Sequence, residues 1–173
     1  MAYRFLREAV AVFGLTVCAG LIIYVFLVNA CGIRFNLTHS APVGVYIQSK
    51  EGPYLDFCPE GEAAQLSAER GYRSRVWFGC EDGRAALLKP IATRPGDMVW
   101  LSPDGIQING HLLPNSAPLA KDHAGRPMKP YPFGLYQASD EAQWVVSAHP
   151  NGFDSRYYGP VDGGERLRFL FGW

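Results

Sequence analysis

Ala86-Leu87-Leu88-Lys89-Pro90-Ile91-Ala92 is an apolar run of strand length with one basic residue inside it. Arg94-Pro95-Gly96-Asp97 supplies a turn, and Met98-Val99-Trp100-Leu101 then resumes the same composition. Gly44-Val45-Tyr46-Ile47 and Trp144-Val145-Val146 are further β-branched and aromatic runs of strand type. In Ile106-Gln107-Ile108-Asn109-Gly110-His111-Leu112, Asn-Gly sits between apolar positions, the strongest short-range signal for a hairpin. Nineteen glycines and thirteen prolines cut the chain into pieces too short for long helices. Beyond residue 30 the expected fold is therefore mainly β.

Two segments depart from that pattern. Glu62-Ala63-Ala64-Gln65-Leu66-Ser67-Ala68-Glu69-Arg70 is built of helix formers and is followed by Gly71, which predicts one short surface helix. Residues 114–132 are polar and proline-rich and read as a long loop or flap.

Upstream, residues 9–30 carry no charge, and as a helix they extend about 33 Å, enough to cross a bilayer. A cleaved signal peptide has an apolar region of about 7 to 15 residues, so the anchor reading is preferred. Against it, Val28-Asn29-Ala30 has the small residues of a signal peptidase cut site, and Cys31 follows where a lipoprotein box places its cysteine. Arg4 and Arg7 precede the helix and only Arg34 lies close after it, which orients the N-terminus to the cytoplasm. The expected organisation is a cytoplasmic N-terminus (1–8), a transmembrane anchor (9–30) and a domain outside the cytoplasm (31–173), in a compartment that permits disulfides.

Export bears on the four cysteines. Cys18 lies within the apolar helix and Cys31 at its exit, which leaves Cys58 and Cys80 to pair in an oxidising compartment. Two separate buried thiols are the alternative. Charged residues make up 18% of the chain at zero net charge, so the basic footprint of a nucleic-acid binder is missing. There is no His-Glu-x-x-His, no phosphate-binding glycine loop, no Gly-x-Ser-x-Gly elbow and no second cysteine pair for zinc. No metal or cofactor is expected.

What remains is Lys89. Burial disfavours a charged amine, and lowering its pKa from about 10.4 to about 8 corresponds to roughly 3 kcal/mol of preference for the neutral form. A neutral amine can take the proton of a serine hydroxyl and make it a nucleophile. The plainer reading is a lysine whose stem lies along the strand while its amine reaches solvent at the rim.

Three segments together resemble type I signal peptidases. Asn36-Leu37-Thr38-His39-Ser40-Ala41-Pro42-Val43-Gly44 is similar to their nucleophile box near the membrane. Lys89 with Pro95-Gly96-Asp97-Met98-Val99 is similar to their lysine box, and Gly152-Phe153-Asp154-Ser155-Arg156 to their Asp-Ser-Arg box. Tyr157-Tyr158-Gly159-Pro160, Phe57-Cys58-Pro59, Arg70-Gly71-Tyr72 and Cys80 resemble the TraF peptidases of conjugative transfer. The resemblance runs from about residue 35 to 165.

The resemblance implies a compact β domain with a Ser-Lys dyad, in which Ser40 attacks and Lys89 is the general base. It implies that the backbone N–H of Ser40 and the hydroxyl of Thr38 receive the oxyanion, and that Asp154 and Arg156 support the site as an ion pair. The substrate it implies is a pilin precursor, with pilus assembly proteins and the lipid bilayer as partners. The acyl-enzyme is released by water, or by the pilin's own amine to give a circle. One departure stands out: the family carries a serine two residues before the aspartate, where this chain has Gly152. Ser147 and Asn151 are the candidates for steadying Lys89 in its place.

Three other readings stay open. His149, near Asp154, permits a Ser40-His149-Asp154 triad, whereas His39, His111 and His123 read as rim or loop residues. A general signal peptidase usually carries a Gly-Asp-Asn-Arg run, which this chain lacks. A non-catalytic membrane-anchored β domain organising a pilus or secretion complex needs neither Ser40 nor Lys89, and both are present.

Overall fold

The computed structural model describes residues 2–77 and 79–173. It begins with α1 (Ala2–Ala30), in which Leu6–Val28 is long and apolar enough to cross a membrane and is not buried against the rest of the chain. Beyond it the fold is mainly β, as expected. Strands β1 (Ile33–Asn36), β2 (Gly44–Gln48), β3 (Tyr54–Phe57) and β4 (Leu87–Pro90) join the late strand β9 (Glu165–Phe171) in a five-stranded sheet of order β1-β2-β9-β3-β4. Strands β5 (Met98–Ser102), β6 (Gly105–Ile108), β7 (His111–Leu112) and β8 (Gly134–Gln137) form a second sheet of order β7-β6-β5-β8. Every pairing is antiparallel.

The local signals act where they were read. Asn109 and Gly110 both have positive φ (50° and 83°), as the turn between β6 and β7 requires. The short helix is α2 (Gly61–Glu69), and Gly71 follows it at φ 71°. It lies inside the loop closed by the Cys58–Cys80 disulfide, so the pairing alternative holds over separate thiols. Cys18 and Cys31 are free. Residues 114–132 contain no named strand or helix, consistent with a loop.

Trp144-Val145-Val146 is not a strand. It is an extended segment that donates from Val146 N to Pro90 O (3.1 Å) and accepts at Trp144 O from Ala92 N (2.8 Å). Pro90 has no N–H to continue the ladder. The segment nevertheless joins the two halves of the domain. Val145 packs with Leu55, Phe57 and Phe153 between the large sheet and the helices, while Trp144 and Val146 pack with Val99, Leu101 and Ile106 under the small sheet. Alternate side chains of an extended chain point to opposite faces, so three residues serve two cores.

Strands β1, β3, β8 and β9 and the one-turn helix α3 (Ser155–Tyr158) are not among the elements expected from sequence. Arg166-Leu167-Arg168-Phe169 in β9 does alternate, and Leu167 is fully buried between its exposed or half-buried neighbours. β9 pairs with β2 on one side and β3 on the other, and so joins the two ends of the large sheet. Arg34 on β1 then spans the sheet, donating to Glu165 (2.6 Å) and lying 3.4 Å from Asp56, while a second donor reaches Val28 O at the end of α1 (2.8 Å).

Candidate active site

The turn between β1 and β2 is tied by one side chain. Asn36, 6% exposed, donates from Nδ2 to the carbonyls of Thr38 (2.9 Å), Ala41 (3.0 Å) and Pro42 (3.0 Å), and accepts at Oδ1 from the Thr38 N–H and hydroxyl. A buried amide with both ends saturated fixes a loop that has no ladder of its own. Tyr46 donates to Pro42 O (2.6 Å) and braces the same turn from β2. The turn holds Ser40 half-buried in the large cleft of the molecule, which Lys89, Ser147, Gly152 and Thr38 also line.

Lys89 projects from β4 and is 4% exposed. Desolvation pulls its amine down to about 8, partly opposed by the Asp154 carboxylate and reinforced by the Arg156 guanidinium. The reading in which the amine escapes to the rim does not hold. Ser40 Oγ lies 3.1 Å from Leu88 O, the carbonyl just before Lys89, and 3.1 Å from Thr38 Oγ1. The Ser40 hydroxyl and Lys89 therefore share one cleft, with the hydroxyl resting on backbone.

Behind Lys89, Asp154 and Arg156 are both fully buried. Arg156 donates to both carboxylate oxygens, at 2.7 Å each, and its other N–H groups reach the carbonyls of Asn115, His149, Pro150 and Gly152. Asp154 caps α3 by accepting from Arg156 N and also accepts from Ser147 N (2.9 Å). Its oxygens are thus taken by Arg156 and Ser147, and His149 is exposed with Nδ1 accepting from Asn151 N (3.1 Å). The Ser40-His149-Asp154 triad is not assembled. His39 is exposed beside Ser40, in the turn and not in an extended segment.

One residue here gave no clear signal in the sequence, and the one departure noted there has a steric reason. Asn36 stood at the head of the nucleophile segment with no role, because a side chain that bonds backbone carbonyls leaves no periodicity. Gly152 is explained by space: a Cβ there would lie 2.8 Å from Ser147 Cβ, 2.8 Å from Arg156 Nη2 and 2.9 Å from Asp154 Oδ2. Of the two residues weighed for that place, Ser147 is buried and Asn151 is exposed. Among the described residues no group of three or more His, Cys, Asp and Glu side chains could hold a metal ion.

The turn that carries Ser40, the buried Lys89 of β4 and the buried Asp154–Arg156 pair lie in the three segments that resemble the boxes of type I signal peptidases. The chain belongs to the signal peptidase family, peptidase S26, whose model matches residues 6–165. Within it, the chain is similar to two plasmid transfer proteins TraF of Escherichia coli. One is 36% identical over 141 residues, 77% of each chain, and the other 34% over 137 residues, 76% of each. A probable conjugal transfer protein TraF of Sinorhizobium fredii is 33% identical over 138 residues, 75% of this chain and 70% of that one. No solved structure matches at a significant level.

Proposed function

We propose that the protein is a membrane-anchored serine endopeptidase that processes the pilin precursor of a conjugative transfer system, with Ser40 as nucleophile and Lys89 as general base. The observation that carries the reading is Lys89: an amine 4% exposed and held near 8 is unprotonated in a useful fraction at neutral pH. It stands one residue from the carbonyl on which the Ser40 hydroxyl rests.

When a peptide enters the cleft, the Ser40 hydroxyl leaves Leu88 O, Lys89 takes its proton, and Oγ bonds to the substrate carbonyl carbon. The oxyanion accepts from Ser40 N–H and from the Thr38 hydroxyl, which turns away from Asn36. The Lys89 ammonium then returns the proton to the departing amine as the C–N bond breaks, leaving an ester on Ser40. Water, or the amine of a second peptide end, loses a proton to Lys89 and attacks the ester, and Ser40 regains its hydrogen.

Conjugation enters through the names of the relatives, which are conjugal or plasmid transfer proteins. Location follows from physical chemistry. Arg4 and Arg7 hold the N-terminus in the cytoplasm, α1 crosses the inner membrane, and the Cys58–Cys80 disulfide suits a periplasmic domain. The test is co-expression with a candidate pilin precursor of a conjugative transfer system. Mass spectrometry should find one internal cut after a small residue, absent with Ser40→Ala. Unchanged cutting after that small residue is replaced by a bulky one defeats the reading.

A further inference from the structure

Ser147 is 1% exposed, and its hydroxyl and its N–H are both committed. Its hydroxyl donates to Ser40 O (3.2 Å) and accepts from His149 N (3.2 Å), while its own N–H donates to Asp154 Oδ2 (2.9 Å). It is thus the link between two parts of the site that are far apart in sequence. On one side stands Asp154, saturated by Arg156; on the other stands the backbone of the residue whose hydroxyl would attack.

The space around it is matched to that link. Ser147 Cβ fills the volume that a side chain at position 152 would need, since a Cβ on Gly152 would approach it to 2.8 Å. A residue larger than glycine there would push Ser147 away from Ser40. Ser40 itself lies in a turn with no ladder: Asn36 holds the carbonyls of Thr38 and Ala41 on either side of it, and nothing in that knot holds the Ser40 carbonyl. The Ser147 hydroxyl is the group that does. Fixing that carbonyl restrains ψ of Ser40, and with it the direction of the Cα–Cβ bond that carries Oγ.

We infer that Ser147 is a positioning residue for the Ser40 nucleophile, through which the buried Asp154–Arg156 pair acts on the reaction. The inference rests on the proposed dyad. Besides its direct electrostatic action on the Lys89 amine, the buried pair reaches the backbone of Ser40 through the N–H, Cβ and hydroxyl of Ser147. Misplacing a nucleophile by about 1 Å can cost on the order of a hundredfold in rate, whereas peptide binding along the cleft need not change.

The experiment uses the full-length protein in detergent micelles and a fluorogenic peptide with alanine at the first and third positions before the scissile bond. Ser147→Ala, Ser147→Cys and Ser40→Ala are compared with the unaltered protein at a temperature where thermal melting shows all four folded. The expected result is a kcat lower by about 10- to 100-fold in Ser147→Ala with KM within twofold, and an intermediate kcat in Ser147→Cys, whose thiol is a weak donor. A role confined to stability would lower the melting temperature and leave kcat unchanged under those conditions. That outcome, with Ser40→Ala inactive, overturns the role of Ser147 and leaves the dyad standing. Activity retained in Ser40→Ala overturns the dyad itself, and with it this inference.

Discussion

The Ser40 hydroxyl rests on the carbonyl of Leu88, at 3.1 Å, rather than on the amine of Lys89 next along the strand. A backbone carbonyl accepts a hydrogen bond but cannot take a proton, so for the proposed reaction the hydroxyl must leave this position. Thr38 stands at the same distance on the other side, with its own proton directed to Asn36. Both hydroxyls must turn for the proposed chemistry, and a substrate carbonyl arriving between them supplies the acceptor that makes the turn favourable.

The first prediction concerns the base. Lys89→Ala and Lys89→Arg should both abolish peptide cleavage, because a guanidinium remains protonated and cannot receive the serine proton. His149→Ala should keep activity, since its imidazole is exposed and not bonded to Asp154. In the unaltered protein kcat/KM should rise with pH and level off above about 8, where the Lys89 amine is neutral. Cleavage by Lys89→Arg at the unaltered rate would remove Lys89 from the mechanism.

The same burial predicts a gain in stability when Lys89 is replaced by methionine. The folded state holds the amine at about 8 and the unfolded state at its ordinary value near 10.5, so in that window the unfolded chain binds more protons. Stability of the unaltered protein should therefore rise as pH climbs from about 8 to 10.5. At pH 7 the full cost of the buried charge is present, about 3 kcal/mol, and Lys89→Met should recover most of it. Denaturant melts at pH 7 and pH 10.5 test this: the advantage of Lys89→Met should shrink at the higher pH. An equal advantage at both would mean that the amine is not held down by burial.

Much of this was legible before any coordinates. The Asn109-Gly110 hairpin, the helix ending at Gly71 and the strand carrying Lys89 all depend on local chemistry, and all three form. Strand β9 shows the limit. Its alternation is in the sequence, but its place between β2 and β3 depends on pairings more than a hundred residues away. Lys89 was singled out by its apolar surroundings, and Ser40, Asp154 and Arg156 by the resemblance to signal peptidases, and the fold brings all four to one region. Asn36 and Ser147 were not read in this way, because each acts through bonds to backbone carbonyls, which no spacing rule encodes.

Asn36 and Thr38 should separate turn structure from oxyanion chemistry. Thr38→Val removes a hydroxyl but little volume, and should lower kcat by about 100-fold with KM nearly unchanged; Thr38→Ser should be tolerated. Asn36→Asp cannot donate to the three carbonyls it now holds, and should lose both activity and thermal stability. Equal effects of Thr38→Val and Thr38→Ser would argue against the hydroxyl.

The Cys58–Cys80 disulfide closes a loop with a sequence separation of 22, worth about 3 kcal/mol in the chain-entropy model. Cys58→Ala with Cys80→Ala should lower the melting temperature by several degrees. In the native protein, thiol reagents should label Cys31 and leave Cys58 and Cys80 unmodified. Labelling of both without reductant would contradict the pairing and weaken the periplasmic placement.

The last prediction tests whether the Asp154–Arg156 pair supports the site by geometry or only by charge. Arg156 places Nε and Nη2 on the two carboxylate oxygens of Asp154 and reaches four backbone carbonyls through Nη1 and Nη2, and neither partner has any solvent exposure. Lysine at position 156 would keep the charge but has three donors on one nitrogen, so it cannot span both carboxylate oxygens and those carbonyls. Arg156→Lys should therefore lose stability by several kcal/mol, close to the 3 to 5 kcal/mol typical of breaking a buried pair. Asp154→Asn is expected to be as damaging, because it leaves the guanidinium buried without a counter-charge. Replacing both, Asp154→Asn with Arg156→Leu, removes the unpaired charge and should restore part of the stability. It should not restore cleavage, because the neutral pair no longer fixes the N–H of Ser147 with a carboxylate. Denaturant melts and cleavage assays on the three variants decide it: full activity in a stable Arg156→Lys protein would show that charge alone suffices and that the fork geometry is dispensable.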